Sequence, residues 1–204
     1  MPAYFSLTFE LSKSKIAVAN FCRALINSGL TFESGYWGFE NDSFEDIIKW
    51  NQSHLDNNFK LGFTEHHSHD YKQMLFNYCN FSEVRVFVMN NEKGATFNFE
   101  LIVPEDDLLN YPENNSIEHK TEKMEQLKSI AQKVWIATDV LAIQTGWEGS
   151  DIPPLASKIA EGVKPQIEPF CIIKFSSFIE QSTLSFKNIE KGGVLIENFK
   201  NWYY

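Results

Sequence analysis

Two runs, Val84-Arg85-Val86-Phe87-Val88-Met89 and Phe97-Asn98-Phe99-Glu100-Leu101-Ile102-Val103, form the clearest hairpin in the chain. In the first, three valines alternate with Arg85, Phe87 and Met89. In the second, Phe97, Phe99, Leu101 and Val103 alternate with Asn98, Glu100 and Ile102. A period of two sends alternate side chains to opposite faces of a strand. Between the runs, Asn90-Asn91-Glu92-Lys93-Gly94 is a turn with its glycine near the end. Pro104 has no backbone N–H to give to a ladder, so it ends the second strand.

Upstream, residues 4–11 also alternate, with Phe5, Leu7, Phe9 and Leu11 on one face, which predicts a half-buried strand. Ser12 and Ser14 offer N-caps to the helix that follows. Val18, Phe21, Cys22, Leu25 and Ile26 lie at helical spacing, and Gly29 stands just past their end. Residues 30–42 read as a loop or short strand. Ser43 with Asp46 three positions on predicts a capped helix carrying Phe44, Ile47, Ile48 and Leu55. Asp70 with Gln73 predicts another, carrying Tyr71, Met74, Leu75 and Tyr78. Residues 43–80 are thus expected to be a helical insertion.

Downstream, a long helix is expected from about Lys120 to Thr145, with Met124, Leu127, Ala131, Val134, Thr138 and Leu141 along one seam. Pro153, Pro154, Pro165 and Pro169 make 147–169 an extended connection with at most a short helix at 155–161. Strands are expected at 170–175 and 194–196. Without the insertion the order is β-α-β-β-α-β, the ferredoxin-like order. The expectation is a single α+β domain over 1–204, an antiparallel sheet with helices packed on one face.

The 204 residues carry 27 acids against 18 bases, a formal charge of -9. Such a balance repels phosphate backbones, and no lysine or arginine cluster supplies the counterion-releasing surface that nucleic acid requires. Anionic membranes are disfavoured for the same reason. No apolar run reaches the ~18 residues of a membrane span. The N-terminus alternates like a strand instead of resembling a signal peptide, so a cytoplasmic protein is expected. Cys22, Cys79 and Cys171 are odd in number and far apart, which argues for reduced thiols over a disulfide frame.

Three regions invite chemistry. Glu65-His66-His67-Ser68-His69-Asp70 holds three of the five histidines, and imidazole and carboxylate are metal ligands. The H-x-H-x-D-H spacing of metallo-β-lactamases is not met, because no histidine follows Asp70. The acids after Pro104, namely Glu105, Asp106, Asp107 and Glu113, suit an anionic docking surface that steers a basic partner. A second acidic zone holds Asp42 and Glu45 beside Trp37, and aromatics next to charges are what recognition surfaces use. Asp139 in an apolar stretch is a further titratable candidate. No G-x-S-x-G, phosphate loop, dinucleotide fingerprint or C-x-x-C is present, which shifts weight from enzyme to binder.

With Val103-Pro104-Glu105-Asp106 closing the strand pair, and Trp135 followed by Thr145-Gly146-Trp147-Glu148, the chain resembles bacterial immunity proteins of polymorphic or contact-dependent toxin systems. The likeness lies in general character: a small, acidic α+β protein. The resemblance implies a non-enzymatic cytoplasmic inhibitor, without cofactor, that occludes a basic toxin. Glu105, Asp106, Asp107, Glu113, Asp42, Glu45 and Trp37 are the expected contact residues. A second reading is a metal-dependent hydrolase built on His66, His67, His69 and Asp70. A third is a structural or regulatory module that pairs with its own copy through a sheet edge.

Overall fold

The hairpin forms: β4 (Val84–Asn90) pairs antiparallel with β5 (Thr96–Pro104), Val86 opposite Leu101 and Val88 opposite Phe99. On the other side of β5 lies β1 (Tyr4–Ser12), with Phe9 opposite Phe99. The computed structural model describes residues 3–59, 71–91, 94–112, 116–198 and 202–203. The remaining sheet strands are β2 (Thr31–Tyr36), β3 (Gln73–Asn77), β8 (Val140–Trp147), β9 (Phe170–Lys174), β10 (Phe186–Ile189) and β11 (Gly193–Glu197). They stand in the order β10-β11-β9-β8-β1-β5-β4-β3-β2, and every pairing is antiparallel.

Helices α1 (Ala17–Asn27), α2 (Phe44–Asp56) and α3 (Thr121–Ala137) cover one face. The alternating phenylalanines make that core. Phe21 of α1 stacks on Phe99 at 4.0 Å between centroids, and Phe9 meets Phe21 edge-on at 5.1 Å. Each fully buried side chain of this size contributes about 1.5–3 kcal/mol. Ser43 caps α2: its Oγ accepts from the Asp46 N–H at 3.2 Å and donates to the Asp46 carboxylate at 2.7 Å. Two short helices, α4 (Ala156–Ala160) and α5 (Ser177–Gln181), lie on the opposite face. There Ile159 and Ile179 pack on Cys171, Ile173, Val194 and Ile196.

The architecture is α+β with a large antiparallel sheet, but it departs from the expectation in four places. Among the described residues the sheet has nine strands, more than a four-stranded ferredoxin-like unit, and helices cover both faces at the β8-β9-β11 end. The long helix stops at Ala137. Thr138 turns extended (φ -128°, ψ 177°) while its Oγ1 donates back to the Val134 carbonyl at 2.8 Å. The β-branched Val140, Ile143 and Thr145 then run as β8 against β1. The helix expected after Asp70, carrying Tyr71, Met74, Leu75 and Tyr78, is likewise absent from the described residues 71–80. Gln73–Asn77 is β3, with Met74 and Phe76 inward and Asn77 outward. Residues 31–36, within the stretch expected as a loop or short strand, are the edge strand β2.

Candidate functional site

Beyond Pro104 the chain makes one 3-10 turn, Glu105–Asp107. Leu108 and Leu109 then plunge into the core and hold that turn against the sheet. Asp107 anchors it from the other side, accepting from the N–H and the hydroxyl of Ser82 at 2.7 and 2.8 Å. Two short strands follow, β6 (Leu109–Asn110) and β7 (Ser116–His119), and β7 also pairs with β12 (Trp202–Tyr203). The pairing of Leu109 with His119 brings the imidazole back beside Glu105.

The other wall comes from β8. At its end Trp147 packs on Phe5 at 4.7 Å, and the His119 ring stacks on the indole at 5.7 Å and 17°. The Trp147 N–H donates to Ser150 Oγ at 3.2 Å, which turns the chain at Glu148. There the Glu148 N–H donates to Glu105 Oε1 at 3.2 Å, and Glu148 Oε2 accepts from the Tyr4 N–H at 2.9 Å. The result is a cavity of about 210 Å³ with Glu105 and Glu148 on its polar side and Trp147, His119 and Tyr111 as its rings. Leu109 and Ile117 complete the lining.

The electrostatics are one-sided. Burial pushes the Glu105 carboxyl up, the Glu148 N–H pulls it down, and the charges of Glu148 and Asp106 push it up again. Burial holds His119 below its ordinary value, which disfavours the charged ring. No lysine or arginine is among the described residues lining the cavity. Lys120 is close, but its Nζ donates to the Asp106 carbonyl at 2.6 Å. Among the described residues, the cavity therefore offers carboxylate oxygens and aromatic rings to whatever enters it, and no cation.

The expected contact residues are dispersed. Glu105 lines the cavity and Asp106 is exposed at its rim, whereas Asp107 serves as the anchor just described. Asp42 pairs with Lys72 at 2.5 Å, and that ammonium also sits over the rings of Trp50 and Phe39 at 4.3 and 4.9 Å. Glu45 is in the first turn of α2, where a carboxylate suits the helix dipole. Trp37 is 64% exposed at a left-handed turn position (φ 55°). This zone follows the edge strand β2, and the antiparallel order places it at the opposite end of the strands from Glu105. Asp139 is exposed in the turn between α3 and β8. Glu113, His66, His67, His69 and Asp70 lie outside the described residues.

The sequence reading missed Tyr111, His119, Trp147 and Glu148 as members of a site. The available signal was Trp147-Glu148 directly after an apolar run, a strand-end position where binding residues collect.

A second titratable group stands on the sheet face away from α1–α3. Glu100 accepts from the Thr8 hydroxyl at 2.7 Å in mid-sheet, and burial pushes its carboxyl up to about 8. Nearby, Arg85 pairs with Glu83 at 2.8 Å, and its guanidinium lies 4.5 Å from the Tyr4 ring and 4.7 Å from the Tyr36 ring.

No family model matches the chain, and no curated protein and no solved structure matches it significantly. Among the described residues no group of three or more His, Cys, Asp or Glu is arranged to hold a metal ion, and no helix is long and apolar enough to cross a membrane.

Proposed function

We propose that the protein is a non-enzymatic protein-binding module whose acidic strand-end rim docks a basic partner. In the form the sequence resemblance suggests, it is a cytoplasmic inhibitor that covers the basic active-site cleft of a cognate toxin. One observation carries the reading. Glu105 and Glu148 converge on an aromatic-walled cavity with an oxygen of each that takes no donor from the described residues. Asp106 extends the same charge onto the surface, and the chain carries nine excess negative charges that favour encounter with a cation-rich surface. Aromatic rings beside charges give such a contact anchors as well as steering.

The test is co-purification from the source cell, with the products of neighbouring reading frames added. A roughly one-to-one complex with a basic protein is expected. Glu148→Lys should slow its association and flatten its salt dependence. If no basic protein is retained, or if the charge-reversed variant binds with unchanged rate and salt slope, the reading is wrong.

A further inference from the structure

We propose that the cavity between the Glu105 turn and the end of β8 is a receptor for a guanidinium, the arginine side chain of a partner protein; this rests on the protein-binding reading above. Its size is the first argument. About 210 Å³ is below the ~300–1,000 Å³ of sites that enclose whole small molecules, and it suits the end of one long side chain.

Its acceptors are the second argument. Glu105 Oε1 is engaged by the Glu148 N–H and Glu148 Oε2 by the Tyr4 N–H. The second oxygen of each carboxylate takes no donor from the described residues. Two acceptors on neighbouring carboxylates match the rigid fork of a guanidinium better than the single point charge of an ammonium.

The walls are the third argument. Trp147 and His119 lie nearly parallel at 5.7 Å between centroids, Phe5 packs against the indole at 4.7 Å, and Tyr111, a 60% exposed residue, joins them in the lining. Planar cations stack on such rings, and burial disfavours the charged imidazole that would repel them. An incoming cation also relieves the mutual repulsion of Glu105, Asp106 and Glu148.

The occupant is an in-chain arginine and not the free amino acid, because free arginine brings a carboxylate toward three acids. The experiment is a titration of the full chain with capped Gly-Arg-Gly, capped Gly-Lys-Gly, capped Gly-citrulline-Gly and free arginine. It is read from the Trp147 indole N–H in a nitrogen–proton correlation spectrum, assigned by its loss in Trp147→Phe. One side chain in one small cavity should bind in the millimolar range, equivalent to about -4 kcal/mol. We expect saturable shifts with the arginine peptide, at least fivefold weaker binding of the lysine peptide and of free arginine, and none with citrulline. Glu148→Gln should weaken the arginine peptide at least fivefold while leaving the rest of the spectrum in place.

Equal binding of citrulline, or no effect of Glu148→Gln, overturns the site. Tighter binding of free arginine overturns the protein source. No binding of the arginine peptide overturns the inference even if a basic protein still docks on Glu105 and Glu148, in which case the protein-binding reading survives. Arginine binding without any basic partner in the co-purification leaves the cavity a guanidinium site and removes the partner.

Discussion

Glu105 Oε1 accepts a hydrogen bond from the backbone N–H of Glu148 at 3.2 Å, across 43 positions of sequence. This bond holds two carboxylates at one cavity that neither segment forms alone. It partly offsets a costly arrangement, since burial and two neighbouring acids all disfavour the Glu105 charge. Groups held against their own electrostatics mark functional sites more often than structural ones.

That cost is measurable. A folded-state carboxyl raised above its unfolded value is favoured when protonated, so its ionised form subtracts from stability as pH rises through that range. Glu105→Gln keeps an oxygen for the Glu148 N–H and removes the charge. We expect the variant to be more stable than the parent near neutral pH, with the gain shrinking toward pH 4, by urea unfolding across that range. It should also bind the arginine peptide more weakly. A gain in stability with a loss in binding is the signature of a residue kept for function; a loss of both would mean that Glu105 is structural.

Asp107 should behave in the opposite way. Its two hydrogen bonds to Ser82 tie the Glu105 turn to the start of β4. Removing a carboxylate acceptor of this kind costs about 1–3 kcal/mol. Asp107→Ala should lower the melting temperature by several degrees, at roughly 2–4 °C per kcal/mol for a chain of this size. Asp106→Ala, at an exposed position, should leave it within about 1 °C. Similar melting temperatures for the two variants would contradict the anchor role.

The contrast shows what the sequence discloses. The β4–β5 hairpin, β1 and the capped α2 were legible because their periodicity and caps are local. The stretch from Val140 to Thr145 was not, since a short apolar run satisfies helix and strand alike. What decides it is β1, more than a hundred residues away, whose Phe9 pairs with Ile143. Gln73–Asn77 is the same case, with β4 and β2 as its partners. The acids after Pro104 were visible as a run, but their division into anchor, rim and cavity wall was not. That division depends on Ser82, His119 and Trp147, which only the assembled sheet brings there.

Gly193 and Trp135 make a second packing prediction. A Cβ on Gly193 would lie 2.5 Å from Trp135 Nε1 and 2.7 Å from Cε2. The indole cannot move aside, because it is buried and its Nε1 donates to the Glu190 carbonyl at 3.0 Å. Gly193→Ala should destabilise by about 1–3 kcal/mol through overpacking. Trp135→Phe removes the clashing pyrrole ring, so the double variant should lose less than the sum of the singles. Strict additivity in a double-mutant cycle would refute the clash.

The cysteines separate cleanly. Cys22 and Cys171 are buried, and burial pushes both thiols up, Cys22 to about 12. Cys79 is exposed. Since the thiolate is the reactive form, a thiol reagent at pH 8 should titrate one group in the folded protein and three after denaturation. Cys79→Ser should abolish the folded-state reaction; a second fast thiol in the parent would show that the sheet core opens.

Glu100 sets the pH response of the fold. Burial raises its carboxyl to about 8, against the lowering bond from Thr8. In the unfolded chain a glutamate ionises near ~4.3. Between these values the unfolded chain releases its proton while the folded one keeps it. Stability therefore falls as pH rises from about 4.5 to about 8 and levels off above. Glu100→Gln retains an acceptor for Thr8 and has no proton to lose. Urea unfolding at pH 5, 6, 7 and 8 should show the parent losing ground to the variant at each step. The total shift should be on the order of 1 kcal/mol or more, since one unit of pKa difference is worth about 1.4 kcal/mol. Parallel curves would mean that Glu100 ionises at its ordinary value.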